Sequence, residues 1–109
     1  MALDRTLVSG SMSMLILRLL SEKDMYGYEM IDILRKRSEN VFELKAGSLY
    51  PLLHSLEENN RLTCYEKEVS GKVRKYYSIT KEGRKFLNKK RDEWEQYAKA
   101  VTNVLALEV

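Results

Sequence analysis

Apolar residues recur at spacings of three and four in four stretches of this chain, and two short strand-like runs lie between the third and the fourth. The first stretch, Leu7–Leu20, places Val8, Met12, Leu15, Ile16, Leu19 and Leu20 on a helical period. Gly10 costs that helix about 1 kcal/mol relative to alanine, so its first turn is expected to fray or act as an arm. Ser21-Glu22-Lys23-Asp24 is a polar turn with Asp24 as a candidate cap, although Gly27 moves the regular start of the next helix toward Tyr28. That second helix, Tyr28–Arg37, buries Met30, Ile31, Ile33 and Leu34 and ends at Ser38-Glu39-Asn40, where Asn40 suits a left-handed conformation. After a short extended link, Val41–Leu44, the third stretch runs from Ser48 to Glu58 with Leu49, Leu52, Leu53 and Leu56 on one stripe. Proline is tolerated best in a first helical turn, so Pro51 predicts a start close to Gly47–Ser48.

The two strand-like runs are LTCYEKE (62–68) and VRKYYSI (73–79), parted by Ser70-Gly71. Their β-branched and aromatic content predicts a hairpin. Thr80 then caps a last helix predicted to run to about Glu108. Leu87, Trp94 and Val101 fall seven apart along it, with Lys90, Tyr97 and Val104 as a companion set and Ala98 and Leu105 alongside. Such a helix is roughly 38 Å long, more than a small domain covers alone, so its stripe calls for a partner. A second copy of the chain is the economical one. The interface would then use Leu87, Trp94, Tyr97, Val101, Val104 and Leu105, with Leu7 of the first helix packed nearby. A helix feeding directly into a basic hairpin is the plan of a winged helix-turn-helix. The expected fold is therefore mainly α (α+β): residues 1–80 form a winged-helix unit with a two-stranded wing, and residues 81–109 form a C-terminal dimerisation helix.

Composition narrows this picture. With 109 residues, 44% of them hydrophobic and 32% charged, the chain suits one folded domain rather than a disordered one. The apolar run Met14–Leu17 is stopped by Arg18, far short of a membrane span, and the N-terminus does not read as a secretory signal. The one cysteine, Cys64, suggests a reducing, cytoplasmic setting. Net charge is only +3, yet it is segregated. Between Arg61 and Arg91 eleven Lys and Arg face three Glu, a net +8 that leaves −5 for the remainder. That segregation points to a polyanion at one surface, although Lys85–Arg91 alone is equally well read as a solvated helix face.

Four pieces of sequence resemble the PadR-type transcriptional regulators in their short form. They are Met25-Tyr26-Gly27-Tyr28-Glu29, Gly47-Ser48-Leu49-Tyr50-Pro51-Leu52-Leu53, Leu56-Glu57, and Arg74-Lys75-Tyr76-Tyr77-Ser78-Ile79-Thr80-Lys81-Glu82-Gly83. The resemblance implies a dimeric winged-helix repressor joined through its C-terminal helix. In the multidrug-responsive subgroup a planar aromatic compound sits between tryptophans at the dimer centre, and Trp94 matches that tryptophan in position. The wing departs from the common pattern, with Gly71-Lys72-Val73-Arg74 where many members carry a Gly-Arg or Gly-Pro-Arg run.

The candidate chemistry follows. Operator DNA is the expected partner, since a major groove about 12 Å wide accepts one helix. Lys45, Ser48, Tyr50, Pro51 and His54 belong to or adjoin the third helix and could meet it there. Tyr50 is alternatively a packed residue at the domain edge, and His54 a plain surface residue. Lys72, Arg74 and Lys75 bring charge to the wing, either for a minor groove or to guard an exposed edge strand. Trp94 is either an interface anchor or a ligand contact. Cys64 has no histidine beside it in sequence and reads as structural. A lone histidine and a lone cysteine give no metal site and no nucleophile–base pair, so no cofactor and no enzymatic activity are expected. Two other functions fit the same elements: a winged helix that binds only protein, and a passive carrier of aromatic ligands.

Overall fold

The structure, a computed structural model, describes the backbone of residues 5–106 and the side chains of residues 10–106. Seven elements follow in order: α1 (Arg5–Leu20), β1 (Met25–Tyr26), α2 (Gly27–Arg37), α3 (Ala46–Glu58), β2 (Leu62–Val69), β3 (Lys72–Ile79) and α4 (Lys81–Leu105). The helical stripes seen in the sequence converge on one core. Ile16, Leu17 and Leu20 of α1, Met30 of α2, Leu49 and Leu53 of α3 and Leu62 of β2 are all buried. Burying one such side chain contributes roughly 1.5–3 kcal/mol, so this cluster is what holds the short elements in place.

The strands form one antiparallel sheet in the order β1-β3-β2. Ser70 and Gly71, both at positive φ, make the two-residue turn that joins β2 to β3. The hairpin is the expected wing, and the third strand is an addition to it. Met25 pairs with Tyr77 and Tyr26 with Tyr76. Because Met25–Tyr26 is extended, α2 starts at Gly27 with Tyr26 at its N-cap and no side-chain cap bond. Asp24 is therefore not a helix cap. Its carboxylate instead accepts a 2.6 Å hydrogen bond from the Tyr65 hydroxyl.

Helix α3 begins at Ala46, earlier than Pro51 suggested, so the proline lies inside the helix rather than in its first turn. The missing N–H at position 51 leaves the Gly47 carbonyl without its i+4 donor, a loss tolerated on the solvent side. Both α2 and α3 end with paired backbone bonds of the Schellman type. Arg61 N donates to Leu56 O and Asn60 N to Glu57 O after α3, with Asn60 at φ 60°. Asn40 takes the left-handed conformation expected of it, at φ 69°.

Thr80 caps α4 as expected, its hydroxyl accepting from Gly83 N at 2.9 Å. The helix stops at Leu105, and Ala106 at φ 56° closes it, three residues short of the expected end. Among the described residues, the α4 side chains in the core belong to its first half. Phe86 and Leu87 join the core, while most side chains beyond them are exposed. The radius of gyration, 15.4 Å, exceeds the roughly 13 Å of a compact chain this long, and the longest axis is 54 Å. No helix among the described residues is long and apolar enough to cross a membrane.

Candidate nucleic-acid interface

Helix α3 buries Leu49, Leu53 and Leu56 and so turns Ser48, Pro51, His54 and Ser55 to solvent. Its N-cap is Lys45, which makes no side-chain cap bond, and the Lys45 carbonyl accepts from Ser48 N and Leu49 N. The Ala46 and Gly47 amides open the helix with nothing within 4 Å of the Gly47 Cβ position, an exposed end with the partial positive charge that suits a phosphate. His54 is exposed, and its Nε2 lies 2.9 Å from Glu58 Oε1 one turn on.

Tyr50 is placed differently from these. Its ring leans away from the solvent face toward the start of α2, and a Cβ on Gly27 would lie only 2.3 Å from the Tyr50 hydroxyl oxygen. Gly27 thus makes room for Tyr50, and the ring is part packed and part exposed. The reading of Tyr50 as a packed residue at the domain edge describes its hydroxyl end.

The hairpin register separates the wing cations. Residues 72, 74 and 76 share one face, whereas 73, 75 and 77 share the other. Tyr77 is buried toward α3, and burial is the first cause of its raised phenol pKa. Lys75 lies on that same face, its Nζ 5.9 Å from the Tyr77 ring centre. Lys72 and Arg74 stand on the outer face. Arg74 is stacked on Tyr26, with Cζ 4.4 Å from the ring centre.

Cys64 sits between the wing and α3, its Sγ 2.9 Å from the Glu57 carboxylate. That hydrogen bond, then burial, pushes the thiol pKa above its ordinary value. A smaller thiolate fraction means slower attack on a disulfide reagent. At pH 8 the folded protein should react more slowly than the urea-unfolded chain, and equal rates would refute the thiol–carboxylate hydrogen bond. Among the described residues no group of three His, Cys, Asp or Glu could hold a metal ion.

The expected interface residues of α4 fall in two classes. Leu87 is 6% exposed and already belongs to the core of its own chain, because α1 covers that turn. Trp94 is 51%, Tyr97 66% and Val104 85% exposed, with Val101 and Leu105 also in solvent. The side chain of Leu7 lies outside the described residues.

The profile described as the transcriptional regulator PadR-like family matches residues 16–89, which span the core helices, the wing and the start of α4. The chain belongs to this family. An uncharacterized protein of Lysinibacillus sphaericus is 37% identical over 91 residues, 83% of this chain and 84% of that protein. The transcriptional regulator YqjI of Escherichia coli is 31% identical over 79% of this chain, which spans only 40% of YqjI. Among solved structures, a transcriptional regulator from Clostridium thermocellum superposes with a TM-score of 0.86 at 32% identity, covering 94% of this chain and 97% of that one. A PadR family transcription regulator from Clostridium difficile gives 0.76 at 36% identity, covering 89% and 99%. The protein is a winged-helix regulator of the PadR-like family.

Sequence reasoning overlooked Tyr26 and Tyr65. The two-residue turn at Ser70-Gly71 fixes the hairpin register and so sets Tyr65 opposite Tyr76, a pairing available from sequence. Tyr26 had no such signal, because a two-residue strand leaves no period to read.

Proposed function

We propose that this PadR-like chain acts as a cytoplasmic homodimer that binds two-fold symmetric duplex DNA and represses transcription. The observation that carries the proposal is the solvent face of α3, opening on bare backbone amides, beside a hairpin that bears Lys72, Arg74 and Lys75. Ser48, Pro51 and His54 meet base edges and sugar–phosphate in the major groove, Tyr50 contributes its exposed edge, and Lys45 with the wing cations holds the backbone. Residues 81–109 serve as the dimerisation helix and residues 1–80 as the reading head.

Selection of bound sequences from random duplex DNA tests the proposal. The expected product is an inverted repeat, and recovery of random sequence would overturn site-specific repression. Affinity should fall steeply with salt. Lys72→Ala should weaken binding to all duplexes alike and shrink the slope of log K against log salt by about 1. A protein that bound only other proteins would show no shift of duplex fragments at low salt.

Exposed Trp94 on the free half of α4 supports an effector reading. In the dimer two such indoles enclose a planar aromatic compound at the centre, and its binding alters the spacing of the two reading heads. The compound relieves repression only if it binds the DNA-incompatible arrangement more tightly. Quenching of Trp94 fluorescence together with release of operator DNA is the expected result, whereas quenching without release would leave a carrier of aromatic ligands.

A further inference from the structure

Three tyrosines from three strands lie side by side on the outer face of the sheet. Tyr76 of β3 stacks on Tyr65 of β2, with ring centres 5.9 Å apart and planes 17° from parallel. Its other neighbour is Tyr26 of β1, edge to face at 5.6 Å and 70°. The Tyr65 hydroxyl is fastened to Asp24, which ties the β2 end of the row to the segment leading into β1.

Two cations stand on this row. Arg74 lies over Tyr26, and Lys67 Nζ lies 5.5 Å from the centre of the Tyr76 ring. Arg74 and Lys67 are also direct cross-strand partners, an arrangement of like charges that ordinarily destabilises a sheet. Neither forms an ion pair among the described residues; each is balanced by the negative face of a ring instead. Glu66 and Glu68 are next to Lys67 in sequence but belong to the other face.

We propose that Tyr26 is a positioning residue for the wing. Its ring holds the Arg74 guanidinium on the outer face, half-buried and oriented, with its remaining N–H donors available to a DNA phosphate. A planar guanidinium flat on a ring loses little further rotamer freedom on binding, which is the advantage of arginine over lysine at a stacked site. Tyr26 thereby links the N-terminus of α2 to the DNA contact of a strand some fifty residues later in the chain.

The inference rests on the DNA-binding reading above, and the test separates the two. Binding to one selected duplex is measured across salt concentrations for the full chain and for Arg74→Ala, Tyr26→Leu, Tyr26→Phe and the Tyr26→Leu/Arg74→Ala double variant. Arg74→Ala should weaken binding about tenfold and lower the salt slope by about 0.9, the value for one lost phosphate contact. Tyr26→Leu should do the same, Tyr26→Phe should bind like the parent, and the double variant should be no worse than Arg74→Ala. If Tyr26→Leu weakens binding without changing the slope, Tyr26 only supports the fold and the inference is overturned. It is also overturned if Arg74→Ala changes nothing while Lys72→Ala lowers both affinity and slope; DNA binding then stands without it. Absence of duplex binding by the parent chain would remove both.

Discussion

Replacing Gly83 with alanine should lower the thermal midpoint by about 12–24 °C, although alanine is the better helix former by about 1 kcal/mol. The reversal comes from what the new methyl would meet. A Cβ at position 83 would stand 2.0 Å from the Arg61 carbonyl oxygen and 2.8 Å from Ile79 Cγ1. The first of these is backbone and cannot rotate aside. It also belongs to the joint that seats α4: Thr80 N donates to Arg61 O at 3.1 Å, and the Thr80 hydroxyl donates to Asn60 O at 2.7 Å. Making room means opening that joint. Overpacking of this kind costs about 1–3 kcal/mol, and each hydrogen bond lost adds about 1 kcal/mol, so a net loss of about 3 kcal/mol follows. At about 4–8 °C per kcal/mol for a domain of this size, the predicted shift results. Gly10→Ala is the control. Nothing lies within 4 Å of its Cβ position, and the same substitution there should be neutral or slightly stabilising. Both are compared by thermal unfolding at one protein concentration, since association alone moves the midpoint. Equal behaviour of the two variants would show that the joint between α3 and α4 is soft.

Where the sequence was informative, a period or a turn carried the information. Leu49, Leu53 and Leu56 repeat over a full helix, and Ser70-Gly71 sits between two runs rich in β-branched and aromatic residues, so α3 and the wing were both legible. The cap at Thr80 could be read because a side chain makes it. The elements that escaped are those set by contacts distant in sequence. Met25–Tyr26 is a strand only because β3 lies beside it, and Asp24 is drawn from a capping role by a tyrosine 41 residues away. Pro51 misled for a related reason: its local preference for a first turn is outweighed by the burial of Leu49 and Leu53, which fixes α3 whatever the proline loses.

The same distinction runs through the site. That α3 and a basic hairpin would both face solvent followed from stripe and charge, and Ser48, Pro51 and His54 are where the period puts them. Lys72, Arg74 and Lys75 read as one group because they are neighbours in sequence, yet a strand sends neighbours to opposite faces. The division of Lys75 from the other two was therefore implicit in the strand period itself. The stacking of Arg74 on Tyr26 was not, since it depends on a strand that only the tertiary structure creates.

Val101→Asp should convert a dimer into a monomer at micromolar concentration and reduce operator affinity by about a hundredfold or more. Among the described residues, most α4 side chains beyond Leu87 are exposed. Trp94, Tyr97, Val104 and Leu105 are all exposed, and Val101 lies among them on the one apolar stripe of that half. A helix leaving such a stripe in water has not satisfied its hydrophobic pattern, and the proposed pairing with a second copy would cover it symmetrically. A carboxylate placed in the seam would be brought close to its own copy across the two-fold axis, adding like-charge repulsion to the loss of apolar contact. On the proposed dimer the loss of operator affinity would follow from linkage: two reading heads would bind two half-sites with an effective concentration that separate monomers lack, a factor of about 10²–10⁴. Asn103→Asp introduces the same group on the opposite side of the same helix and should leave both association and operator binding close to the parent. Sedimentation and duplex titration on the two variants decide the matter. A Val101→Asp protein that stays dimeric would place the subunit contact elsewhere, and a monomer that still held the inverted repeat at parental affinity would show that one head reads the operator alone.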